Sequence, residues 1–147
     1  MLTYLPTVSG KWVSPGLRDF PLMSKKSPSV LIVDDEALIR WSLCEALVET
    51  GCAVTEAVDG RTALRAIAQA GEPFDVVLLD YRLPDSADLK LLGQIRDAAP
   101  TSRVIMITAH NSPELAQNAQ ALGAFRVVSK PFEVDAIAKL VGQAAAQ

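Results

Sequence analysis

Five short apolar runs, each followed by an amphipathic stretch of helical period, most restrict how this 147-residue chain can fold. The runs are Val30-Leu31-Ile32-Val33, Ala53-Val54-Thr55, Val76-Val77-Leu78-Leu79, Val104-Ile105-Met106-Ile107 and Arg126-Val127-Val128. Several are apolar at consecutive positions and rich in β-branched residues, the pattern of parallel strands covered on both faces. Ile39, Leu43, Ala46 and Leu47 mark the first helix face, and Leu64, Ile67 and Ala68 the second. Leu89, Leu92 and Ile95 mark the third, Leu115, Ala119 and Leu122 the fourth, and Val134, Ile137 and Val141 the fifth. Ser112-Pro113 supplies an N-cap and a proline in the first turn, so the fourth helix should start there. Five βα units in a row predict an α/β fold, a doubly wound five-stranded parallel sheet with right-handed crossovers. The Ala/Gln-rich end, Gln143 to Gln147, is expected to fray.

Residues 1–27 have a different pattern. Pro6, Gly10, Pro15, Gly16, Pro21 and then Pro28 punctuate the stretch, and neither a 3.6 nor a 2.0 period survives. It reads as a poorly ordered leader before a folded domain over 28–147, with Met23 the expected native start. The rival reading is a partner-binding arm carrying Trp12 and Phe20.

Half the residues are hydrophobic and 21% are charged, a globular balance. A net charge of −3 offers no basic field for a phosphate backbone, so no direct nucleic-acid contact is expected. No apolar run reaches the roughly 18–20 residues of a membrane span, and the interrupted start fails as a signal peptide; a cytoplasmic location is expected. Cys44 and Cys52 lack metal-ligand spacing and read as buried, reduced thiols.

The chemistry lies in the polar residues at the end of each run. Asp34 and Asp35 come directly after the first, Asp80 after the third, Thr108 after the fourth, and Lys130-Pro131 shortly after the fifth. In an open α/β sheet, ligands bind beyond the carboxyl ends of the strands, so these groups should meet at one edge. Singly, each has a duller role. Asp35 could cap a helix beginning at Glu36, Lys130 could be a solvated charge, and Thr108 a turn residue. Jointly that explanation fails, because unrelated surface residues need not all fall at strand ends. Three crowded carboxylates repel unless a cation neutralises them, and Mg²⁺ (or Mn²⁺) suits oxygen donors and phosphate. An aspartate can attack phosphorus to give an acyl phosphate. The set therefore predicts phosphoryl transfer onto Asp80, with the metal and Lys130 stabilising the charge.

These residues resemble the receiver domains of two-component response regulators. Val30 to Glu36 resembles the family's first strand and acidic pair, and Val76 to Asp80 with Leu83-Pro84 its phosphoacceptor segment. Val104 to Ala109 resembles the strand bearing the switch hydroxyl, and Lys130-Pro131-Phe132 the lysine motif. The likeness covers residues 29 to about 145. It implies a flavodoxin-like (βα)5 fold with strand order 2-1-3-4-5. It also implies phosphorylation at Asp80, with metal binding by Asp34, Asp35, Asp80 and the backbone carbonyl of Arg82. Thr108 and Ala109 would contact the phosphoryl group beside Lys130, and the bond before Pro131 would be cis, as proline permits.

Three departures from the family stand out. Asp88 replaces a frequent glycine, which should shift the start of the third helix if that position needs positive φ. Val127 occupies the place of the switch aromatic; Phe125, two residues earlier, should share its strand face. Arg82 and His110 flank the site at positions that tune dephosphorylation in the family.

The resemblance implies a phosphorylation-regulated switch, catalysing only its own phosphorylation and dephosphorylation. A sensor histidine kinase or phosphotransfer protein would be the donor. The fourth helix, fifth strand and fifth helix would form the partner or homodimer surface. Either a stand-alone receiver or one cut from a longer regulator fits. An aspartyl-phosphate phosphatase is disfavoured because Arg82 stands where its second Asp belongs. Nucleotide enzymes are disfavoured by the lack of a Walker motif.

Overall fold

The computed structural model of the protein describes Leu5–Pro6, Trp12–Val13 and residues 27–147. The first two segments pair antiparallel, Leu5 with Val13 and Pro6 with Trp12. Apart from that pair and Ser27, the leader expected over 1–27 lies outside the described residues.

The five predicted units are all present. In chain order they are β1 (Ser29–Val33), α1 (Ala37–Glu49), β2 (Ala53–Ala57), α2 (Gly60–Gln69), β3 (Val76–Asp80) and α3 (Lys90–Ala98). Then come β4 (Arg103–Thr108), α4 (Pro113–Ala121), β5 (Ala124–Ser129) and α5 (Val134–Ala145). The strands are parallel in the order β2-β1-β3-β4-β5, the flavodoxin-like arrangement the resemblance implied.

Consecutive apolar residues make sense only because alternate side chains enter different cores. On one face Val30, Ile32, Val76, Leu78 and Ile105 pack against Leu43 and Leu47 of α1 and Ile137 and Val141 of α5. On the other, Leu31, Val33, Val77, Leu79 and Met106 meet Ala63 of α2, Leu92 and Ile95 of α3 and Ala119 of α4. Every residue of β3 is buried. Each such Leu or Ile side chain is worth about 2 kcal/mol when removed from water. The edge strands are covered less completely; only Ala57 of β2 and Ala124 of β5 are buried.

Local chemistry sets the helix ends. Asp59 and Thr62 form a capping box on α2, with Thr62 N donating to Asp59 Oδ1 at 2.8 Å. Ser112 Oγ accepts from Leu115 N at 3.1 Å and Pro113 opens α4, as its sequence predicts. Helix α1 begins at Ala37, not Glu36, and its cap position makes no side-chain bond, so Asp35 is not a cap. The expectation of fraying from Gln143 is corrected. Helix α5 runs to Ala145 because Ala144 is buried against the core. Cys44 and Cys52 are free thiols, half-buried rather than buried.

Strand β5 carries an irregularity. Val104 pairs with Ala124 but Ile105 pairs with Arg126, which leaves Phe125 as an extra residue. The expected shared face of Phe125 and Val127 is therefore corrected. Phe125 packs on the α1/α5 side, whereas Val127 packs on the α2/α3/α4 side.

Candidate functional site

The site is built where three central strands end. Strand β1 stops at Val33, and Asp34 N still donates to Ala57 O at 3.1 Å, so Asp34 emerges beside the sheet edge. Asp80 is the last residue of β3 and Thr108 the last of β4. Lys130 follows β5 directly, and its amide donates to Thr108 O at 2.8 Å. The Lys130–Pro131 bond is cis. Asp34, Asp80 and Thr108 are all buried.

The lysine ammonium lies among three carboxylates. Lys130 Nζ stands 3.3 Å from Asp80 Oδ2, 3.5 Å from Glu36 Oε1 and 3.7 Å from Asp34 Oδ2. Backbone donors orient the acids: Glu36 N reaches Asp34 Oδ1 at 2.8 Å, and Arg82 N reaches Asp80 Oδ1 at 3.2 Å. Thr108 Oγ1 accepts from His110 N at 3.1 Å. Arg40 of α1 secures the end of β1, donating from Nη1 to Asp34 O at 2.8 Å while its Nε pairs with Glu56 at 3.2 Å.

Burial pushes the Asp34 carboxyl up to about 6, with the Asp80 charge adding to the rise and the Glu36 amide and Lys130 opposing it. Asp80 is also raised, first by burial and then by the Asp35 charge, against the pull of Lys130. For Lys130, burial alone would lower the value. Asp34, Asp80 and Glu36 together outweigh it and hold the ammonium charged above its ordinary range. Three carboxylates against one ammonium leave an excess of negative charge in a confined space.

The oxygens of Asp34, Glu36 and Asp80 lie within 4.8 Å of one another, close enough to share one cation. Hard, clustered oxygen donors, with the Asp34 and Asp80 carboxyls both raised by burial, fit a divalent ion of the Mg²⁺ class. Asp35 is exposed and stands outside that group, although its charge reaches Asp80. Sequence reasoning assigns Glu36 no ligand role; the third acid of the Asp-Asp-Glu run is the signal that could have found it. Ala109 is exposed beside Lys130, and the Val127 side chain is half-buried on the core side.

Asp88 needs no unusual backbone, since no described non-glycine residue has positive φ. Its Oδ1 accepts from Lys90 N at 2.8 Å, and α3 opens at Lys90 with Leu89 as its cap.

Known proteins resemble this chain in sequence and in fold. The DNA-binding transcriptional regulator NtrC of Escherichia coli K12 is 39% identical over 115 residues, 78% of this chain and 24% of that protein. The chain thus spans about a quarter of that relative's length. Sporulation initiation phosphotransferase F of Bacillus subtilis is 33% identical over 108 residues, covering 74% of this chain and 86% of that one. A Burkholderia pseudomallei response regulator, solved with a phosphorylated aspartic acid, a calcium ion and citrate, superposes with a TM-score of 0.71. It is 26% identical and the match covers 82% of this chain and 69% of that one. Among the described residues no helix is long and apolar enough to cross a membrane. The response regulator receiver domain pattern matches residues 30–142, so with its 2-1-3-4-5 sheet and acidic strand-end pocket the chain belongs to the response regulator receiver domain family.

Proposed function

We propose that Asp80 accepts the phosphoryl group. The observation that carries this reading is the Asp80 carboxylate itself, buried at the end of β3 with Lys130 Nζ 3.3 Å away and two further acids beside it. One Asp80 oxygen attacks the phosphorus of a phosphohistidine. The phosphorus–nitrogen bond breaks, the imidazole keeps the electron pair, and an acyl phosphate forms. Lys130 pairs with the transferred oxygens, and Thr108 turns its hydroxyl from the His110 amide toward them. Asp34, Asp80, the Arg82 carbonyl and either Asp35 or Glu36 would hold a divalent ion, which would supply charge neutralisation for the acids and the phosphoryl group.

The chain acts as a switch, catalysing only its own phosphorylation and hydrolysis. Its donor is a sensor histidine kinase or a phosphotransfer protein. The coupled surface is α4, β5 and α5, where a small shift moves a two-state population and can bring two copies together. The receiver spans 28–147, acts in the cytoplasm, and makes no nucleic-acid contact itself. Any DNA binding of the kind named for NtrC belongs to other parts of a longer protein. The test is Asp80→Asn incubated with labelled acetyl phosphate and Mg²⁺. Label is expected on the wild type and lost in the variant; undiminished labelling of the variant refutes the assignment.

A further inference from the structure

The segment after Asp80 is tied to a helix that takes no part in the carboxylate cluster. Asp85 Oδ1 accepts from Gly60 N at 2.8 Å, and Asp85 Oδ2 accepts from Arg61 N at 3.0 Å. One carboxylate thus holds two successive donors in the first turn of α2, from 25 and 24 residues away. The positive end of the helix dipole favours it there. Helix α2 already has its own cap in Asp59, which takes the Thr62 amide at 2.8 Å. Close approach is built in as well. A Cβ at Gly60 would stand 3.2 Å from Asp85 Oδ1 and 3.0 Å from Leu91 Cδ2, so the missing side chain admits the carboxylate.

The clasp leads back to the phosphoacceptor through short steps. Leu83 N donates to Ser86 O at 2.7 Å and Ser86 N returns to Leu83 O at 3.2 Å, closing a tight turn around Asp85. Leu83 is buried in the core. The residue before it, Arg82, places its amide on Asp80 Oδ1 at 3.2 Å. Tyr81 N is pinned to Ile107 O at 2.8 Å on the neighbouring strand. The segment is therefore fixed at its strand end by β4 and at its far end by α2.

We propose that Asp85 is a positioning residue for the reaction at Asp80, its clasp on α2 fixing the peptide groups on either side of Arg82. This rests on the reading of the Asp80 pocket as a metal- and phosphoryl-binding site. The clasp sets where the Arg82 amide meets Asp80 and where the Arg82 carbonyl is offered to the cation. An exposed carboxylate outside the acidic cluster thereby tunes the affinity of that cluster. Asp59, on the same helix end but tied only to α2 itself, should have no such effect.

The experiment compares Asp85→Ala, Asp85→Asn and Asp59→Ala with the wild type in calorimetric Mg²⁺ titrations and metal-free amide exchange. Asp85→Ala is expected to bind Mg²⁺ about tenfold more weakly, the low end for groups that orient a ligand. Its Arg82 and Leu83 amides should exchange faster before any metal is added. Asp85→Asn keeps one acceptor oxygen and should fall between the two. Asp59→Ala should lose helix protection in α2 yet bind Mg²⁺ as the wild type does. Unchanged Mg²⁺ affinity in both Asp85 variants overturns the proposal while leaving the site reading intact. Equal weakening by Asp59→Ala also overturns it, since Asp85 would then act only as a helix cap. A wild type that takes up no Mg²⁺ overturns the site reading, and the proposal with it.

Discussion

Asp34→Asn should stabilise the metal-free protein, although it removes a charged member of the site. Asp34 is only 2% exposed, and burial lifts its pKa from 3.8 to about 6. Between those values the folded protein holds a proton that the unfolded chain has released. Wild-type stability therefore falls as pH rises from about 4 to about 6 and stays lower above that. A rise of about two units at about 1.4 kcal/mol per unit amounts to about 3 kcal/mol. Solvent at the mouth of the site screens part of this, which leaves about 1–3 kcal/mol to be regained. The amide keeps an oxygen for the Glu36 N–H, so the local turn survives the change. Urea unfolding at a slope of about 2 kcal/mol per M should move the midpoint up by about 0.5–1.5 M at pH 8. At pH 4 the two curves should nearly coincide, and saturating Mg²⁺ should stabilise the wild type more than the variant. Superimposed curves at pH 8, or a larger gap at pH 4 than at pH 8, would refute the electrostatic reasoning.

Two further changes test the cation of the same site and a turn remote from it. Lys130→Met removes the ammonium that pairs with Asp34, Glu36 and Asp80. Denaturation at pH 8 should show a loss of about 2 kcal/mol, shrinking toward acid pH as the stranded carboxylates take up protons. Gly123→Ala forces a side chain onto φ +100°, with its Cβ 2.6 Å from Arg96 Nε. Arg96 must then release its 2.6 Å bond to Ser102 O, and thermal unfolding should report a loss of at least about 1 kcal/mol.

The parts of the fold legible in the sequence are those governed by short-range pattern. Val76 to Leu79 reads as a strand buried on both faces because all four residues are apolar, and Ser112-Pro113 fixes a helix start through its own side chain. The strand-end positions of Asp34, Asp80, Thr108 and Lys130 are equally legible, since each polar residue lies at the end of an apolar run. The features that escape depend on partners distant in sequence. The displaced face of Phe125 is set by a mismatch with β4, which β5 alone does not announce. Asp85 reads locally as a turn residue, and only the folded chain sets it against Gly60. Ala144 is held by the core behind it rather than by the helix propensity of its neighbours.

The extra residue in β5 lies near the strand's entry, before the rungs that join Ile105 to Arg126 and Thr108 to Ser129. From Arg126 onward the ladder runs without slippage to the point where the ammonium is delivered. The strand thus absorbs its surplus length upstream and hands Lys130 over at a fixed height. Related chains could gain or lose a residue near Phe125 without moving the lysine, whereas a single insertion after Val128 would carry it out of reach of Asp80.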